Sequence, residues 1–328
     1  MTLEQKVGQL FVIVPEGQTL GPETRRQLRY LNAGGVVLLE KNVSAPLQTA
    51  VFIQAMQLEV RAAGLPGMLV AADQEGGQVS RLRRSDGYTE FPSPMALAAT
   101  PGGCESVRVA AAIMAREMKA IGMNTVLAPV LDINNNPENP VINVRAFGSE
   151  PGQVARCGIA HIDAVLGEGL IAVGKHFPGH GDTSLDSHTA LPVITHTLER
   201  LNSVEFAPFK AAIQAGIPAI MTAHIVFPAL DPTPNLPSTL SQRVLSGLLR
   251  KELNFKGAIF SDALTMGALP LSGNPGPQAT VKALRAGADV LLFGEGYQAH
   301  RDAYEAVISA VRAGDVSAER LDDAVRRV

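Results

Sequence analysis

Tryptophan is absent from this 328-residue chain, and aromatic residues make up only 5% of it. Proteins that grip long polysaccharides present flat aromatic platforms, so this scarcity favours a small polar pocket over a long open cleft. Cysteine is nearly absent too. Cys104 and Cys157 form no CxxC motif and lack metal-site spacing, so they read as free thiols in a reducing compartment. The start, Met1-Thr2-Leu3-Glu4-Gln5-Lys6, has no apolar stretch behind a basic end and does not read as a signal peptide. No apolar run reaches the ~18 residues that a membrane span needs. The expectation is a soluble, cytoplasmic protein. Neither sign of charge dominates: 28 Lys and Arg stand against 31 Asp and Glu, for a net charge of -3. The longest basic run, Arg81-Leu82-Arg83-Arg84, is too short for a nucleic-acid binder.

What is present is globular: 46% hydrophobic and 18% charged residues, enough to bury a large core without disulfides. At about 150 residues per domain the length suggests two domains, yet one (β/α)8 barrel takes about 250 residues or more. Eight short apolar runs are predicted as strands: Leu10–Val14, Gly35–Leu39, Met68–Asp73, Thr125–Asp132, Ile171–His176, Ala219–His224, Ala258–Asp262 and Asp289–Phe293. Most are apolar throughout, as strands buried on both faces must be. Helical patterns alternate with them, at Glu23–Leu31, Leu47–Arg61, Glu105–Ile121, Gln153–Leu166, Leu198–Ala215, Ser241–Leu253, Thr280–Ala286, Gln298–Arg312 and Ala318–Arg327. Eight strands alternating with helices predict an α/β fold, a single (β/α)8 TIM barrel, with an open doubly wound sheet as the alternative. No Pro/Gly/Ser-rich linker divides the chain, so residues 1–328 read as one catalytic domain with no second domain. Asn134 to Gly148 and Phe177 to Thr195 are long and irregular, the mark of functional loops.

Polar residues sit where the apolar strands end: Asp73, Asp132, Lys175-His176, His224 and Asp262. In a barrel these positions face one rim, where active sites form. A single charged strand end is often a helix cap or a structural ion pair, but five on one face are hard to explain that way. Asp262, leaving a buried strand, is a nucleophile, a metal ligand or an ion-pair partner. Arg81, Arg145 and Lys175 supply cations that keep carboxylates ionised and bond polyhydroxylated ligands. Four of the seven histidines, His176, His180, His188 and His196, fall in or just after one loop. Asp186 lies two residues before His188, close enough to fix its tautomer and favour the imidazolium, which makes a general acid/base. A metal site is the rival reading of these histidines.

At these residues the chain resembles the β-N-acetylglucosaminidases of glycoside hydrolase family 3, the exo-acting group linked to cell-wall recycling. The resemblance runs over essentially the whole chain. It is carried by Asp73-Gln74-Glu75-Gly76-Gly77, Ala128-Pro129-Val130-Leu131-Asp132, Val144-Arg145-Ala146-Phe147-Gly148, Lys175 to Thr183 with Asp186-Ser187-His188, Met221-Thr222-Ala223-His224, Pro237-Ser238-Thr239-Leu240-Ser241 and Ser261-Asp262-Ala263-Leu264. It implies a retaining mechanism with Asp262 as nucleophile and a His188–Asp186 acid/base. Asp73, Arg81, Arg145, Lys175 and His176 would hold the terminal sugar, and His224 is counted with them as substrate-binding. It implies a small carbohydrate substrate (an N-acetylglucosaminide from peptidoglycan fragments or chito-oligosaccharides) and no metal or organic cofactor. No nucleic-acid or membrane partner is expected, and the chain is expected to be a monomer. Two departures stand out: Gln78 replaces a frequent Arg, and the chain stops at Arg327-Val328, where the last barrel helix is expected to continue.

A retaining glycosidase normally uses two carboxyl groups about 5 Å apart. A His–Asp pair in place of the second keeps proton transfer near neutral pH and leaves less anionic repulsion in the second step. Phosphate could then compete with water, so a β-N-acetylglucosaminide phosphorylase is one alternative. A metal-dependent TIM-barrel hydrolase using His176, His180, His188 and Asp262 is another, and a catalytically silent sugar-binding protein a third.

Overall fold

Eight short parallel strands form at the predicted apolar runs in a computed structural model that describes residues 1–328. They are β1 (Phe11–Ile13), β2 (Gly35–Val37), β3 (Leu69–Ala72), β4 (Thr125–Val126), β5 (Ile171–Phe177), β6 (Ala219–Thr222), β7 (Ala258–Phe260) and β8 (Leu291–Leu292). Each pairs with its neighbour in sequence, and β8 returns to β1 through Phe11 opposite Leu291. A parallel bridge between Phe260 and Val290 joins β7 to β8, and Ser261 donates to the Val290 carbonyl at 2.8 Å. Sequential order with this closure is a (β/α)8 barrel, not a doubly wound sheet.

Alternation along each strand builds two cores. Val12, Val14, Val37, Ala71, Leu127, Val173, Ala219, Met221, Ala258, Phe260, Val290 and Leu292 form a buried cluster of their own, the filling of the barrel. Their neighbours, among them Phe11, Ile13, Val36, Val70, Ile220 and Ile259, join a 70-residue cluster between barrel and helices. The barrel is therefore solid, and only its rim can offer a cavity.

Some boundaries differ from expectation. β4 ends before Asp132 because Pro129 has no N–H to give a ladder, though its carbonyl still accepts from Lys175 N at 3.0 Å. The predicted helix Leu198–Ala215 is two, Leu198–Ser203 and Ala207–Gln214. Pro208 breaks it, since its ring would meet the Val204 carbonyl of a continuous helix. A short hairpin, Gln74–Gly76 with Val79–Ser80, follows β3 and was not foreseen. No helix is long and apolar enough to cross a membrane.

The two cysteines are a correction. Cys104 and Cys157 are joined in a disulfide, with their Cα atoms 4.5 Å apart. Cys104 opens the helix Cys104–Ala120, and Cys157 lies within the adjacent helix Pro151–Gly167. Spacing along the chain does not reveal that two neighbouring barrel helices bring the thiols together.

Candidate active site

The five polar strand ends meet on the C-terminal rim, around a cavity of about 490 Å³. Asp73, Arg81, Arg145, Lys175, His176, His188 and Asp262 all line it.

One wall is a buried ion network. Lys175 Nζ lies 2.8 Å from Asp73 Oδ1 and 2.6 Å from Glu75 Oε1. Arg145 donates to both oxygens of Glu75 at 2.8 Å, a bidentate pair. Arg81 reaches Asp73 at 3.3 Å and Glu40 at 3.1 Å. Burial opposes charge on Asp73, Glu75, Arg145 and Lys175, but the partners outweigh it. Lys175, Arg81 and Arg145 hold the Asp73 carboxyl far below the carboxylate range. Lys175 and Arg145 hold Glu75 at about 2. Asp73 and Glu75 in turn keep Lys175 above its ordinary value, against burial. The network is thus fully ionised at neutral pH and presents fixed donors and acceptors to a polyhydroxylated ligand. Glu75 is buried behind it and does not line the cavity.

His176 is oriented from below. Asp132, fully buried, accepts from His176 Nδ1 at 2.6 Å, from His176 N at 3.2 Å and from His180 N at 2.7 Å. The first bond puts the proton on Nδ1 and leaves Nε2 as the ring nitrogen available to a ligand. Gly181 lets the following loop lie flat on the one after β4: a Cβ there would stand 1.7 Å from the Ile133 carbonyl oxygen.

Asp262 follows β7 and accepts from Ala263 N at 2.7 Å. Burial works against its charge, while His224, His176 and the Ala263 N–H favour it, and the carboxyl lies below its ordinary value. On the same rim, Asp186 Oδ1 accepts from His188 Nδ1 at 2.7 Å and from His188 N at 2.8 Å. Their loop rests on the segment after Asp262, where Gly267 N donates to the His188 carbonyl at 2.9 Å.

Of the predicted site residues, Asp186 and His224 do not line the cavity; Asp186 reaches it through His188, whereas His224 is turned away. Its ring is buried, with Nδ1 2.8 Å from Thr239 Oγ1 and Nε2 3.0 Å from the Ala263 carbonyl. It does not line the cavity and braces the segment after Asp262 through the Ala263 carbonyl. The strand end was visible in the sequence, but the direction of its side chain was not. Nor does the structure gather His176, His180, His188 and Asp262 as ligands of one ion. The one group of such side chains within 4.8 Å of each other is Asp182, His196 and Glu205, none of which lines the cavity. Two contributors were passed over. Glu75 was quoted in its motif but left out of the predicted sugar-binding set. Asp132 was named only as a strand end, because its side chain serves His176 and not a ligand.

Residues 2–328 match the glycosyl hydrolase family 3 N terminal domain. The chain is 38% identical over 290 residues to a Pseudoalteromonas piscicida protein named beta-hexosaminidase A, covering 84% of this chain and 48% of the relative. A Paenibacillus glycoside hydrolase family 3 beta-N-acetylglucosaminidase superposes with a TM-score of 0.97 at 41% identity, over 100% of this chain and 61% of that one. A beta-N-acetylhexosaminidase from Beutenbergia cavernae gives 0.91 at 29% identity, over 100% and 97%. The chain thus spans about half the length of the first of these relatives.

Proposed function

Because the chain belongs to glycosyl hydrolase family 3, we propose that it is an exo-acting, retaining β-N-acetylglucosaminidase that removes terminal non-reducing N-acetylglucosamine. One observation carries this reading: Asp262 and His188 line one rim cavity, one wall of which is the ionised Lys175–Asp73–Arg81–Arg145 network. That wall suits the hydroxyls of a single terminal sugar, held by Asp73, Arg81, Arg145, Lys175 and His176. We further propose that this barrel domain is the catalytic domain and works as a monomer.

In the first step the Asp262 carboxylate attacks the anomeric carbon while the bond to the aglycone oxygen breaks. His188, as imidazolium, gives its proton to that oxygen. In the second step His188 takes a proton from water, the water oxygen attacks the anomeric carbon, and the bond to Asp262 breaks. Asp186 holds the imidazole by its Nδ1 proton throughout, leaving Nε2 to carry the transferred one.

The natural substrates of this reading are peptidoglycan fragments, as in cell-wall recycling, and chito-oligosaccharides. The test is product analysis on N-acetylglucosaminyl-anhydro-muropeptide and chitobiose, with and without phosphate. Free N-acetylglucosamine, released one unit at a time and first as the β-anomer, is expected. A sugar 1-phosphate would make the enzyme a phosphorylase, and early mixed oligomers from chitin would contradict an exo pocket. Chelator-sensitive turnover would favour the metal-dependent alternative.

Location belongs to the same reading. A cytoplasmic protein was expected from two thiols read as free, a start unlike a signal peptide and the lack of a membrane-length apolar run; the Cys104–Cys157 bond removes the first of these grounds, because it is chemistry that persists in oxidising compartments. We therefore favour an oxidising location over the cytoplasm.

A further inference from the structure

The acid/base pair stands in the open. His188 and Asp186 side chains are 61% and 39% exposed; the Asp186 carboxylate bonds only to His188, and beyond that pair His188 is held only at its carbonyl, by Gly267 N at 2.9 Å. A proton donor must hold its place to within fractions of an ångström, and so exposed a pair cannot do this alone. From Ser184 to Ala190 only one residue is buried, Ser187, at 1% exposure. Its hydroxyl lies 2.9 Å from His180 Nε2.

His180 is a fixed post. It is 1% exposed. Its N–H donates to Asp132 at 2.7 Å, its carbonyl accepts from Asn139 at 2.8 Å, and its Nδ1 lies 3.1 Å from Thr183 Oγ1. Burial pushes its imidazole down to about 4, so the ring is neutral at pH 7. A neutral ring has one donor and one acceptor nitrogen, and so serves Thr183 and Ser187 together. An apolar side chain would plug the space below the loop more cheaply, since a buried hydroxyl is costly unless bonded. The serine adds direction. On its main-chain side the same residue is held again, by Ala268 N on the Ser187 carbonyl at 3.3 Å.

We propose that Ser187, anchored on His180, is the positioning residue that holds His188 over the cavity for proton transfer. This rests on the glycosidase reading above. A positioning role predicts a signature that a merely structural one lacks: the loss must grow as the leaving group worsens.

The experiment measures kcat/KM for Ser187→Ala on aryl N-acetyl-β-glucosaminides with phenols of increasing pKa. Removing a general acid costs about 10²–10⁴, so loosening one is expected to cost about 10–100-fold for poor leaving groups. A dinitrophenyl substrate should stay within about twofold, with KM little changed, because its phenolate departs unassisted. Ser187→Thr, which keeps the hydroxyl, should restore most of the loss. His180→Phe, which keeps bulk and burial, should reproduce it. Equal losses across all leaving groups, or none, would overturn the proposal. Amide exchange of Ser184–Ala190 in the same proteins without substrate gives an independent reading. It should quicken in Ser187→Ala, and unchanged exchange would overturn the anchor. Quickened exchange in a protein whose wild type turns over no aryl glucosaminide would sink the glycosidase reading and leave the anchor standing.

Discussion

Charged residues at the rim play two parts that the sequence cannot separate. Asp73, Lys175 and Asp262 stood out because each falls where an apolar strand ends, and the structure brings all three to one cavity. Glu75 and His224 lie in equally polar positions but face inward. Side-chain direction at a strand end depends on where the chain turns, and this is set by contacts far away in sequence. Glu75 is the sharper case. It is buried between two cations and held at about 2 against an ordinary 4.5. A folded-state value below the unfolded one means that ionised Glu75 stabilises the fold fully above about pH 4.5, and that this is lost as pH falls towards 2. Glu75→Gln should destabilise the protein by about 3–5 kcal/mol at pH 7, the cost of breaking a buried pair. The gap from wild type should narrow in urea melts between pH 4.5 and pH 2. A gap that stays constant with pH would show that Glu75 is not ionised in the fold. For His188 the leaving group is again the probe. His188→Ala should slow natural disaccharides by about 10²–10⁴ and dinitrophenyl substrates far less, with Asp186→Asn a weaker copy. Equal slowing of the glycosylation step for both would make His188 a binding residue and move the acid elsewhere.

Elements were the most legible scale. Apolar runs fixed the number and order of the strands, because a strand buried on both faces tolerates no polar interruption. Helix ends were read less well, since Pro208 splits one predicted helix and Gly276–Ala286 begins a turn before the predicted Thr280. The hairpin after β3 is only Gln74–Gly76 and Val79–Ser80, too short for a period-2 pattern to register. The disulfide was missed for a related reason: 53 residues separate its cysteines, and only the packing of helix Cys104–Ala120 on Pro151–Gly167 makes them neighbours. That separation gives a measurable consequence. Loop-closure entropy for about 53 residues amounts to about 4 kcal/mol, so Cys104→Ser should lose up to that much stability in denaturant melts. Protein isolated without reductant should show no free thiol; two titratable thiols in the folded, unreduced protein would return the pair to the reduced state first expected.

At the scale of the whole molecule, the barrel explains why residues as distant as Asp73 and Asp262 share a cavity. Every strand delivers its C-terminal end to one rim, and the filled interior leaves no other place for a ligand at the centre. The eight-strand alternation predicted the closed barrel over an open sheet, and the contacts that close it are the Phe260–Val290 bridge and β8 meeting β1. The rim cavity, about 490 Å³, is of the size that takes a small ligand, in keeping with the scarcity of aromatic platforms. The central claim is that Asp262 forms the covalent bond to the terminal sugar. It is tested most directly by trapping the intermediate with a slow 5-fluoro N-acetylglucosaminyl donor and mapping the labelled peptide by mass spectrometry. The account predicts one label per chain, on Asp262, lost in Asp262→Ala protein that keeps its fold; a label on Asp73 or Asp132, or turnover surviving in Asp262→Ala, would contradict it.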